Sequence, residues 1–339
     1  GPANGFPVEA GYSATTPFQI TVDKVGSYSA DIVLYDVLTN EEISRQEIKF
    51  TASYKTNING VDYVFENYND LFEQLPSDVQ ATVVLQNNIE EEIIIPENKD
   101  IVLDLNNNTI TGNVAITNNG TLSIVNGTIV TDNNAIINNG TIAEIDNVVI
   151  NSEWTGINNK GTIEKIYNTN IDARMYPIIL TDAKIGELDN NTVTGHYQSG
   201  IYLKGTSRID RIISGSYVTY GDKPEGADSV SGFGLYIGSS SSIGEIAGGT
   251  FQGNQVAVAN YGDIDLISGG LFEKKFPNDT WKMTYTFGYS GEIGSITGGK
   301  FYSYNGKLNG VFRYTKQNTI AEGYEFVQEG DYFIAQPQI

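Results

Sequence analysis

The sequence predicts an all-β protein, most of it a parallel β-solenoid: a rod of short strands wound into stacked turns. Three observations carry that expectation. A ten-residue frame, x-I-x-x-I-x-[GN]-[GN]-x-[IVF], occurs eight times, with starts separated by 20, 21, 22, 24, 34, 21 and 29 residues. Its copies are 141–150, 162–171, 184–193, 208–217, 242–251, 263–272 and 292–301, after a contracted copy at 121–129. A second short apolar segment precedes each frame, as in Ile136-Ile137, Ile178-Ile179-Leu180, Ile201-Tyr202-Leu203 and Leu235-Tyr236-Ile237. Asn and Gly fall at the corners, where a sharp turn demands left-handed backbone. A unit of 20 to 22 residues is too short for a helical hairpin repeat or a propeller blade. Stacked at ~4.8 Å per turn, the eight framed turns make a rod ~40 Å long.

Taken in chain order, Gly1-Pro2 reads as the remnant of a cleaved tag. Residues 3–58 form a small β segment or sandwich-like module, with strands at 18–22, 30–35 and 48–50 set by partial alternation. Residues 59–100 are a cap region. There Asn67 or Asn69 caps a helix whose apolar face is Leu71, Phe72 and Leu75, and which ends at Pro76. Strands follow at 81–85, 92–95 and 101–105, leading into the β-helix proper at 101–304 and a closing region at 305–339. The helix covers the open end of the stack, where unpaired strand edges would otherwise invite aggregation. Asn118-Asn119, Asn138-Asn139 and Asn158-Asn159 fall at one corner of three successive turns, positioned to hydrogen-bond from turn to turn.

Residues 101–112, Ile-Val-Leu-Asp-Leu-Asn-Asn-Asn-Thr-Ile-Thr-Gly, resemble the LDLNG-x-T-I-T-G entry rung of right-handed parallel β-helix proteins on bacterial surfaces. Residues 116–129 are similar to the rungs that follow it there, I-x-N-x-G-T-L-x-I-x-x-G-T-I, with Asn107 standing where that family usually has Gly. Residues 321–324 and 329–334 resemble its closing hairpin. The likeness covers roughly residues 60 to 339. It implies a right-handed, single-stranded parallel β-helix of the pectin-lyase-like kind, with an N-terminal capping helix and a C-terminal capping hairpin. The family includes adhesins, wall-displayed repeats, phage tail components and polysaccharide-degrading enzymes, so it fixes fold more tightly than activity.

Composition narrows the function. The chain has 20 basic and 41 acidic side chains, a formal charge of −21, no Cys and one His. That charge repels nucleic acid and anionic membrane surfaces. Disulfides, zinc fingers, a cysteine nucleophile and a Ser-His-Asp triad all lose support. No stretch approaches 18 consecutive apolar residues, and no basic segment followed by an apolar one reads as a signal peptide. The expectation is a monomeric, extracellular domain of a bacterial cell-surface protein, without its export and anchor segments.

Pectate-lyase-like members of the fold use an Arg or Lys base beside acidic calcium ligands, and related hydrolases use close carboxylates. The acidic candidates here are Asp182, Glu187 and Asp189, then Asp210, and Glu245 with Asp263 and Asp265. Glu144, Glu164, Glu187 and Glu245 fall in or next to one frame position, as an outward polar column would. Lys165, Arg174, Lys184, Lys204, Arg208 and Arg211 are scattered, and Lys184, Arg208 and Arg211 are placed for surface ion pairs. His196 reads as an ordinary exposed side chain at a corner. No catalytic residue, metal or cofactor is assigned.

Two insertions say more. From the last apolar residue of a frame to the next strand centre takes seven or eight residues in most turns, but 18 from Tyr217 to Leu235 and 15 from Phe272 to Phe287. Both leave the same corner, two turns and ~10 Å apart. One carries Tyr220, Asp222, Lys223, Asp228 and Phe233, the other Asn278, Asp279, Trp281 and Tyr285. Loops on a rigid scaffold are where sites usually live, and aromatic rings beside Asp and Asn suit a sugar. The expected function is a non-enzymatic, adhesin-like protein binding glycan or host protein through these loops. A polysaccharide lyase or hydrolase and a phage tail or fibre component are the alternatives.

Overall fold

The computed structural model describes residues 19–20, 22, 26–36, 38–77, 79–221, 232–274, 285–288, 290–313 and 318–339. Strands make up 64% of the chain and helix 3%, and the strands wind into a parallel β-solenoid of about nine turns. Three parallel sheets run along the rod. In the first, Thr141, Thr162, Lys184, Arg208, Ser242, Asp263 and Glu292 lie in register. The second aligns Ile150, Ile171, Val193, Tyr217, Phe251, Phe272 and Phe301. The third, built from the segments between frames, aligns Ile157, Ile178, Ile201, Leu235, Val258 and Phe287.

The frame's apolar letters point inward and form one continuous core. Each fully buried Ile or Phe contributes ~1.5–3 kcal/mol relative to exposure. The contracted copy has a structural cause: register shifts between Ile142 and Glu144, so Ala143 is an extra residue opposite the shorter strand.

The corner after the first sheet comes in two forms. In early turns Asn126, Asn147, Asn168 and Asn190, the seventh frame residue, take φ of 60°, 54°, 51° and 50°. From Gly215 onward the left-handed residue is the eighth, at Gly215, Gly249, Gly270 and Gly299. That shift accompanies a change of core. Where Ile or Val closes the early frames, Tyr217, Phe251, Phe272 and Phe301 close the later ones, stacked with centroids 5.1, 5.1 and 5.0 Å apart. A methyl group on Gly299 would stand 2.9 Å from Phe301 Cζ, so the ring occupies the space that a side chain at the corner would need.

The asparagine ladder forms, with one change of member. Asn118 donates to Asn138 at 2.8 Å and Asn138 to Asn159 at 2.8 Å, all three fully buried. Each amide also donates to a backbone carbonyl of the next turn: Thr141, Thr162 and Lys184 respectively. The outer pair is Asn119 with Asn139. Asn158 does not join, because it lies opposite Ile137.

The helix spans Tyr68–Gln74. Of the two candidate caps Asn67 serves, its side chain accepting from the backbone of Asn69 at 2.8 Å and Asp70 at 3.1 Å. Asn69 instead ties the helix to the next strand, through Ile94 and Glu92. Tyr68 and Phe72 enter the rod's core. The buried Lys99 ammonium donates to the carbonyls of Glu73 and Leu75 at the helix's end. At the other end Tyr324–Glu329 and Tyr332–Pro337 form an antiparallel hairpin that pairs with Lys300–Tyr302.

Before the rod, Gly26–Tyr35 and Glu42–Ala52 make a separate two-stranded antiparallel sheet, longer than the alternation suggested. Tyr28, Ala30, Ile32, Leu34, Ile48 and Phe50 share one of its faces. Of the strand expected at 18–22, Phe18 and Thr21 lie outside the described residues, and Gln19, Ile20 and Val22 belong to no strand.

Candidate functional site

Asp222, Lys223, Asp228, Asn278, Asp279 and Trp281 lie outside the described residues. The other three insertion residues are placed. Phe233 and Tyr285 are 9% and 3% exposed, packed with Val256 and Ala259 in a small apolar cluster on the outer side of the third sheet. Both rings are thus taken up in packing against the rod. Tyr285 also receives a hydrogen bond from Arg313 at 3.2 Å, with the guanidinium 4.8 Å from its ring centre. Tyr220 is half-buried and stacks on His196, with centroids 5.6 Å apart and planes at 30°.

His196 is correspondingly more engaged than its sequence context indicated. Its Nε2 lies 2.9 Å from Asp172 Oδ1, one turn earlier. The backbone explains the meeting: Tyr197 N donates to Arg174 O and Tyr220 N to Gly195 O, so the corner residues of three turns sit one above another.

This corner opens onto an aromatic stripe that the loop-centred reading missed. Tyr202 lies opposite Ile179 on one side and Tyr236 on the other, in one outward column of the third sheet. The two tyrosines stack with centroids 4.4 Å apart and planes within 11°. Tyr176 adds a tilted contact to Tyr202 at 5.1 Å, and Tyr261 one to Tyr236 at 5.4 Å. Burial lifts the Tyr176 hydroxyl above the ordinary tyrosine range, and neighbouring Tyr202 and Tyr197 add to the shift. One turn before Tyr176, Trp154 is 49% exposed, and its carbonyl accepts from Met175 and Tyr176. The signal was present in the sequence: alignment of the segments between frames places Tyr202 over Tyr236.

The acidic candidates on the first sheet are largely tied to basic neighbours. Glu144, Lys165, Glu187, Arg211 and Glu245 form one column of alternating sign. Lys165 pairs with Glu187 at 3.6 Å and Arg211 with Glu245 at 2.9 Å. Asp210 receives Lys184 at 2.7 Å and Arg208 at 3.0 Å, and Arg208 reaches on to Asp265 at 3.1 Å. Partial burial pushes the Asp210 carboxyl upward, but the two cations outweigh it and hold the group below its usual range. Asp189 accepts from Ser214, and Asp182 from the backbone of Thr206. Among the described residues no cluster of three His, Asp or Glu side chains is placed to hold a metal ion.

Comparison with models of known protein families, with curated proteins and with solved structures gave no match.

Proposed function

We propose that the protein is a non-enzymatic interaction rod displayed on a bacterial surface, and that it binds glycan through the aromatic corner. One observation carries this reading. Tyr176, Tyr202 and Tyr236 touch one another on three successive turns at the start of the third sheet, with exposed Trp154 one turn earlier at the same corner. Tyr and Trp combine an apolar body with a polar tip, the pairing that sugar hydroxyls and ring faces require. A rigid parallel sheet holds the three tyrosines in place, so little conformational entropy is lost on binding. The ion pairing of Asp210, Asp265 and Glu245 supports the non-enzymatic part, because an acid–base pair needs carboxylates at liberty to exchange protons.

A glycan array probed with the intact chain and with Tyr202→Ala tests the reading. Binding by the parent chain that falls at least roughly tenfold in the variant is expected from loss of one central aromatic anchor. No binding to any glycan, or binding indifferent to Tyr202→Ala and Trp154→Ala alike, would refute it.

A further inference from the structure

We propose that the strand Val61–Phe65 is a docking edge for a second copy of this chain, so that two rods join at their helix-capped ends into a closed dimer, in place of the monomer expected from the sequence. The first sheet does not stop at the first turn. Tyr54–Ile58 pairs antiparallel with Ala81–Leu85 and extends that sheet outward, and Val61–Phe65 pairs antiparallel with Tyr54–Ile58. Among the described residues Val61–Phe65 has no strand on its other side. The turn between the two strands, Asn59-Gly60, has φ of 49° and 87°. That two-residue form makes Ile58 and Val61 a hydrogen-bonded pair, and alternation then turns the backbone N–H and C=O of Asp62 and Val64 to the open edge. Lys55, opposite Val64, agrees: its N–H points away, to Asn87 Oδ1 at 3.3 Å.

Nothing blunts this edge. It holds no Pro, and its one charge, Asp62, is already answered by Lys55 at 2.9 Å and Asn57 at 2.8 Å. Val61, Tyr63 and Val64 are 55%, 45% and 71% exposed. At the far end of the rod the edge strand Tyr324–Glu329 exposes Glu325 and Glu329 instead. Docking the apolar edge there would strip water from carboxylates that gain no partner. Head-to-tail fibres are thereby disfavoured, and like meets like across a two-fold axis. The apolar edge is complementary to itself. In an antiparallel pair centred on Tyr63, Asp62 of each copy lies opposite Val64 of the other, and each such pair exchanges two hydrogen bonds. Val61 then faces Phe65, Tyr63 faces its counterpart, and the two Asp62 carboxylates never face each other.

The test is sedimentation velocity of the intact chain from about 1 to 200 µM in about 0.15 M salt, which screens distant charges on two rods but not a pair in contact. A monomer–dimer equilibrium that stops at the dimer is expected, with a Kd on the order of 1–100 µM for so small an interface. Val64→Pro removes an outward N–H and should abolish the dimer with the melting temperature nearly unchanged, since an edge strand tolerates Pro on its free side. Val64→Glu sets a carboxylate opposite Asp62 and Val64→Lys an ammonium, so the second should dimerise at least roughly tenfold more tightly than the first. A monomer throughout, the result if another protein or this chain's own residues cover the edge, overturns the proposal. So does assembly that grows past the dimer. A dimer that Val64→Pro leaves intact, or that Val64→Glu and Val64→Lys weaken equally, overturns it as well.

Discussion

Asn118, Asn138 and Asn159 show what a single buried side chain must satisfy in a stack of this kind. Asn118 donates to Asn138 and Asn138 to Asn159, the two end members completing their bonding with backbone groups, and the same column is filled in later turns by Leu180, Leu203 and Ile237. Asn138→Leu alone would therefore strip one hydrogen bond from each neighbour and remove the amide donor to the Thr162 carbonyl, at a cost of roughly 2–4 kcal/mol in urea unfolding. Replacing all three with Leu should cost less than the sum of the single changes, because no amide is left behind. Glycine corners follow a different logic. Gly299→Ala meets both a φ of 107° and the Phe301 ring, whereas Gly323→Ala meets only a φ of 79° with nothing within 4 Å. The first should lower stability by roughly 2–4 kcal/mol and the second by about 1 kcal/mol, as read by thermal melts. The ladder was legible from paired asparagines, but its membership was not. Two successive turns differ in length by one residue, and that decides between Asn158 and Asn159.

At the scale of elements, cross-strand pairing orders the surface charges. The alternating column ending in Arg211 and Glu245 is the parallel-sheet version of opposite charges facing across strands. Arg211→Glu would set three carboxylates in a row with Glu187 and Glu245. A loss of about 1 kcal/mol is expected at low salt, shrinking in high salt as the charges are screened. A loss that is insensitive to salt would point to packing instead. At the helix, Asn67→Ala should cost about 1 kcal/mol through its two backbone donors. Helix and rungs were legible because capping and hydrophobic period act locally. The stripe was harder to see, since Tyr202 and Tyr236 are 34 residues apart in sequence and become neighbours only once an insertion is discounted. The leading hairpin was legible as strands but not in its extent. Its exposed outer portions give weak alternation.

For the whole molecule, the buried tyrosines set an upper pH limit. Burial raises the hydroxyls of Tyr68 and Tyr217 far above their ordinary range, and raises Tyr54 to a lesser degree. Burial and then Glu273 push Tyr332 up to about 12. A phenol whose folded-state pKa is raised stabilises the fold fully below its unfolded value of ~10, and that stability is lost as pH rises beyond it. Alkaline titration should show a first group of phenolates forming near pH ~10 with the circular dichroism intact. A second group should appear only together with unfolding. Simultaneous ionisation of all tyrosines in a folded chain would contradict this. The period of the frame made the solenoid legible at this scale, because a parallel stack repeats the same inward letters in every turn.

The in-register pairing of neighbouring turns has a further consequence, for assembly. Most strands of the rod find their partner one turn back along the chain and need nothing that comes later. The last completed turn is thus a template for the next. A chain delivered end first, from a ribosome or through a narrow pore, can grow its rod at the delivery rate. The slow step is then the first turn, where Tyr68 and Phe72 must find the core before any template exists.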